Sequence, residues 1–170
     1  RGWRSESNAP LKRAIAVAWP FRSIQSVERT LPKELIWLRD EMDTPWTVHV
    51  SRDLLLADIR SLTEGWTGVK GGLDSILERL KKEPEGPKID IERDLLSRMG
   101  DQMIFFSPSE AFAIEMEDVT GLEELAQRWS SLGDGSPKLI GKHLFFGPRK
   151  YLEAATTRYE AMLLDKPSPK

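Results

Sequence analysis

The chain has 170 residues, of which 39% are hydrophobic and 31% charged, enough for a real core in one domain or in two small halves sharing a sheet. Lys and Arg number 25 against 27 Asp and Glu, and the resulting net charge of −2 gives no electrostatic reason to expect nucleic-acid binding. With no cysteine, disulfides, thiol catalysis and cysteine metal sites are excluded, and no apolar run approaches the ~18 residues of a membrane-spanning helix.

Residues 1–12 are polar with one tryptophan and read as a flexible arm, in which Trp3 is a candidate contact. Ala14 to Trp19 is short, apolar and mostly small, a strand pattern ended by Pro20. Ser23 is a plausible N-cap for a helix carrying Ile24, Val27 and Leu31 on one face, broken or restarted at Pro32. Leu35, Ile36 and Leu38 continue an apolar face, and Trp46 to Val50 has the β-rich composition of a strand. Leu55, Ile59 and Leu62 fall at helical spacing. The stretch from Thr63 to Gly72 reads as a mobile, glycine-rich loop holding Trp66, and matches no phosphate-binding pattern. Leu73, Ile76, Leu77 and Leu80 mark the next helix, with Lys81 and Lys82 favourably placed at its C-terminus.

Residues 89 to 146 are the most regular part. Asp90 is a good N-cap for a helix with Ile91, Leu95 and Met99 on one face, and Gly100 is placed to end it. Met103 to Phe106 is an apolar run favouring a strand. After the turn at Pro108, the residues Phe112, Ile114 and Met116 alternate with smaller or polar ones, as in a second strand. Thr120 and Glu123 match a capping box, and Leu122, Leu125, Trp129 and Leu132 continue at helical spacing. Leu139 to Phe146 is strand-like, with Gly141-Lys142 as a two-residue hairpin turn. Tyr151, Leu152, Ala155, Tyr159, Met162 and Leu163 make a last amphipathic helix.

This order predicts an α+β fold, an antiparallel sheet with helices packed on one face. A faint repeat, Ala16-Val-Ala-Trp against Ala113-Ile-Glu-Met, suits two similar strand–helix halves. The domain is expected over 13–164, with halves 13–82 and 88–164, and a linker-like tail over 165–170. Both ends resemble linker, which sets the expectation of a piece of a longer protein.

Chemistry is sparse. His49 and His143 sit far apart in predicted strands with no third ligand at metal spacing, so ordinary strand histidines are expected, with no metal and no cofactor. No nucleophile motif is present. The dense carboxylates Asp90, Glu92, Asp94 and Asp101 are interspersed with Arg93 and Arg98, the pattern of caps and surface ion pairs. The alternative is a ligand-binding or hydrolytic site using Asp94, Asp101 and Glu115, which requires these side chains to converge. As interaction anchors the candidates are Trp3, Trp66, Tyr151 and Tyr159.

Pro84, Gly86, Pro87, Ile89, Asp90, Asp94, Leu95, Gly100 and Asp101, followed by Phe112-Ala-Ile-Glu115, resemble the D-P-N-G-P-x-I-D and D-L-x-x-x-L-G-D motifs and the later strand of a family of uncharacterised planctomycete-type extracytoplasmic proteins. The likeness covers roughly 66–146; Glu83 and Glu85 replace the usual Asp and Asn, and Met99 replaces Leu. The resemblance implies a secreted or envelope-anchored protein without known enzymatic activity, and it supplies no catalytic residues. Together these readings lead to the expectation of a non-enzymatic interaction or structural module of a larger envelope assembly, with a protein partner, as a homo-oligomer or in a hetero-complex.

Overall fold

The computed structural model describes residues 21–39, 43–84, 86–129 and 137–165. Strand β1 is Ile24–Glu28 and β2 is Thr44–Val50, with a 3-10 turn, Lys33–Leu38, between them in the chain. Helices α1 (Arg52–Thr67) and α2 (Gly72–Lys82) follow. A wide π-type turn (Ile91–Leu95) and a 3-10 turn (Leu96–Arg98) lead into β3 (Met99–Ser107), which turns back as β4 (Ala111–Met116). Helix α3 (Leu122–Trp129), the hairpin of β5 (Lys138–Ile140) and β6 (His143–Phe146), and helix α4 (Arg149–Leu164) complete the fold. All pairings are antiparallel, in the order β1-β2-β3-β4-β6-β5. The chain is α+β, and among the described residues no helix is long and apolar enough to cross a membrane.

The helices cover both faces of the sheet rather than one. β4 and β6 carry apolar side chains at both parities, so neither face can be left to water. On one face Ile104, Phe106, Ala111, Ala113 and Phe145 pack with Leu35 and Leu38 of the first 3-10 turn and with Leu152 and Ala155 of α4. On the other face Ile114, Met116 and Leu144 pack with Leu122 and Leu125 of α3 and with Ile89, Leu95 and Met99. Aromatic rings add geometry to both clusters. Phe106 stacks with Phe145 at 6.3 Å, and Phe112 with Phe146 at 4.8 Å.

Four local readings are corrected. Ile24–Glu28 is a strand, not a helix, and lies at the sheet edge among the described residues, because its residues pair with β2 over Ile24–Val50 to Glu28–Thr47. The helix expected after Asp90 shrinks to a wide π-type turn followed by a 3-10 turn. Met99 is drawn into pairing with Met116, and Gly100 belongs to β3 rather than a helix end. Trp66 lies in the last turn of α1, which runs on to a left-handed Gly68 cap donating to Glu64 O at 2.9 Å. The start of α3 is held by Asp118, which accepts from the Thr120 N–H at 2.9 Å, and not by the Thr120–Glu123 box. Trp3, the strand expected over 14–19, Leu132 and the tail beyond 165 lie outside the described residues.

The β5–β6 hairpin turns at Gly141-Lys142 as the spacing predicts, with φ +61° at Gly141. Gly147, at φ +153°, joins β6 to α4, and a Cβ there would lie 2.7 Å from the Ala111 Cβ and 3.0 Å from its Cα. Gly147→Ala is therefore expected to cost about 1–3 kcal/mol, read as a lower urea midpoint at unchanged slope. An unchanged midpoint would contradict this close approach of the β6 end to β4.

Candidate functional site

The three carboxylates nominated by the sequence are each engaged with a different partner. Asp94 is buried in the π-type turn, where it accepts from the Asp90 N–H at 2.9 Å and from Arg93 Nε at 2.7 Å. The Arg93 hydrogen bond holds its carboxyl below the ordinary carboxylate range. Asp90 caps this turn by accepting from the Arg93 N–H and pairs with Lys81 at 2.8 Å. Asp101 is exposed on β3, 4.0 Å from His49 Nδ1. Glu115, on β4, pairs with Lys142 at 2.6 Å. Among the described residues no hydrogen bond or ion pair joins Asp94, Asp101 and Glu115 to one another, and no group of three or more His, Asp or Glu is placed to hold a metal ion.

The aromatic candidates separate as well. Tyr151 packs on Phe106 at 5.6 Å between ring centres, and Tyr159 on Trp37 at 5.3 Å, so both belong to the first core cluster. Trp66 is 74% exposed.

Trp66 stands at the end of a helical hairpin that is well braced yet sparsely packed. Arg60 grips Asp74 through two nitrogens, at 2.7 Å and 3.0 Å to Oδ1, tying α1 to α2. Glu64 Oε1 accepts from the Gly71 N–H at 2.9 Å and closes the connection. The hairpin meets the rest of the molecule mainly at one end. Leu55 joins the second core cluster, and buried Asp58 accepts from the Ser23 N–H at 2.7 Å. Arg52 reaches Met99 O and Glu117. No residue of α2 is fully buried. Ile59 and Trp66, seven residues apart and so on one face of α1, are exposed together with Val69 and Ile76.

On the opposite face of the sheet, a groove of ≈ 680 Å³ opens between the Lys33–Leu38 turn, the β5–β6 turn and α4. Trp37, Ile36, Tyr159 and Met162 form its apolar walls. Trp37 is fixed by donating from Nε1 to Glu34 O at 2.7 Å. Lys142 bridges Glu115 at 2.6 Å and Glu34 at 3.5 Å, and the Glu115 bond raises its pKa. Gly100 makes room for this arrangement, since a Cβ there would fall 2.9 Å from Glu115 Oε2. Beside Lys142, His143 is 2% exposed, and its Nε2 has no hydrogen-bond partner among the described residues. Burial pushes its pKa down, so the imidazole is neutral at pH 7.

By sequence alone His143 is an ordinary strand histidine and Lys142 a turn residue, and nothing singles out Glu34. One usable signal was present: alternation along His143–Phe146 puts His143 on the same face as Phe145, hence under cover. Nothing local in the sequence brings Glu34 to Lys142. No protein-family model, curated protein or solved structure matches the chain.

The depressed His143 pKa sets a pH dependence. The unfolded chain takes up this proton near pH 6.5, and the folded chain only at lower pH. The contribution is complete above the unfolded value and declines as pH falls from there towards the folded one. Urea midpoints are expected to fall between pH 7.5 and about 5.5, above the range where carboxylates titrate. His143→Gln should flatten that decline. An equal decline in both proteins would place its origin elsewhere.

Proposed function

We propose that this chain is a non-enzymatic interaction module of a larger extracytoplasmic assembly, and that it docks through the α1–α2 hairpin. The observation that carries the reading is the exposure of Ile59, Trp66, Val69 and Ile76 on a hairpin clamped by Arg60–Asp74. Exposed apolar side chains gain from burial against a partner, and a rigid element loses little entropy in presenting them. The charges of the hairpin are mixed in sign, so the surface does not strongly repel a like surface, and a second copy of this chain is the first partner to test. The likeness of residues 66–146 to the planctomycete-type envelope family supports the extracytoplasmic location. The alternative, a hydrolytic or ligand-binding carboxylate cluster, has less support, because Asp94, Asp101 and Glu115 are each engaged with separate partners.

Light scattering after gel filtration, run over a range of concentrations, tests this. The expected result is association that strengthens with concentration and is lost in Trp66→Ser and Ile76→Ser. Both positions are exposed, so each variant should keep its folding stability within about 0.5 kcal/mol. A monomer at every concentration, or association indifferent to both substitutions, would contradict docking of a second copy on this hairpin.

A further inference from the structure

We infer that the groove between the Lys33–Leu38 turn, the β5–β6 turn and α4 binds a small apolar carboxylic acid, with its carboxylate on Lys142 and Lys33 and its hydrocarbon body against Trp37 and Tyr159. This site lies across the sheet from the hairpin and is independent of it.

Size and lining come first. At ≈ 680 Å³ the groove falls within the ~300–1,000 Å³ of small-molecule sites, and its walls are mostly apolar and aromatic. Its polar groups are dominated by donors. Lys33, Lys142, His143 and the Tyr159 hydroxyl line it, against the single carboxylate of Glu34. Lys33 makes no ion pair among the described residues.

The charge arrangement selects an acid. Lys142 is held from behind by Glu115 at 2.6 Å, and this pair does not depend on the groove. Glu34 approaches the same ammonium from the groove at 3.5 Å, as the looser of the two. Its carboxylate stands where that of a ligand would sit, so Lys142 already accepts a second carboxylate from this side. An incoming acid exchanges with Glu34 and adds apolar contact that Glu34 does not make. His143 supplies the second observation. A polar atom buried without a partner is disfavoured and calls for a reason. His143 lines the groove, so the neutral imidazole with its proton on Nε2 can donate to a ligand carboxylate and gain the partner it lacks.

Titration calorimetry of the whole chain with octanoate, and with octanol as the uncharged control, tests the inference. Saturable one-to-one binding of octanoate is expected, with no saturable binding of octanol over the same range. Glu34→Gln removes the competing carboxylate and should tighten octanoate binding by about three- to fivefold, the scale of one partly exposed charge. Lys33→Gln should weaken it by a similar factor. Both residues are exposed, so neither change threatens the fold. Equal binding of octanol, no octanoate binding in either the natural chain or Glu34→Gln, or affinity unmoved by both substitutions would overturn the assignment.

Discussion

The burial of β4 on both faces, held in register by β3, is the constraint on which the rest of this structure depends. Their register, with Met103 opposite Ile114 and Phe106 opposite Ala111, sends Ile104, Phe106, Ala111 and Ala113 to one cluster and Met103, Ile114 and Met116 to the other. A slip of one residue would turn Glu115 into the cluster under α3 and Ile114 towards Lys142, exchanging an ion pair for an apolar side chain on one face and burying a charge on the other. The register therefore fixes the core and the polar row of Glu115 and His143 together, since these two residues lie opposite each other across β4 and β6.

Much of this was legible in the sequence where the pattern is long or punctuated. The strand over Met103–Phe106, the alternation from Phe112 to Met116, the Gly141-Lys142 turn and the α2 and α4 stripes all carry their own signal. β1 did not, because Ile24 and Val27 fit a three-residue helical step as well as a strand, and only the partner β2 decides between them. The stretch after Asp90 failed for a related reason. Ile91, Leu95 and Met99 share a helical face on paper, but Met99 gains a ladder partner in Met116 that a local pattern cannot show. Glycine is a misleading signal near the end of α1 and at the start of β3. Gly65 is tolerated inside the helix, and Gly100 serves a close approach by Glu115 rather than a helix stop. The groove was the least legible feature, since Glu34, Lys142 and Tyr159 meet only through tertiary packing.

The two surfaces follow different physical logic. The hairpin is stabilised within itself, by Arg60–Asp74 and the Glu64–Gly71 closure, and is joined to the sheet through few buried side chains. Such an element keeps its shape while leaving apolar area available to a partner. The groove is instead built into the main cluster, with Trp37 and Tyr159 both packed against it, so its walls share the stability of the core.

Amide hydrogen exchange, followed by mass spectrometry on the whole chain at low and high protein concentration, tests the hairpin account most directly. The account predicts that at low concentration the amides of residues 52–82 exchange ahead of those of β3 and β4, through local opening. At high concentration exchange over 52–82 should slow while the central strands stay unchanged. A hairpin as protected as β3 and β4 at low concentration, and indifferent to concentration, would contradict an unpartnered docking element.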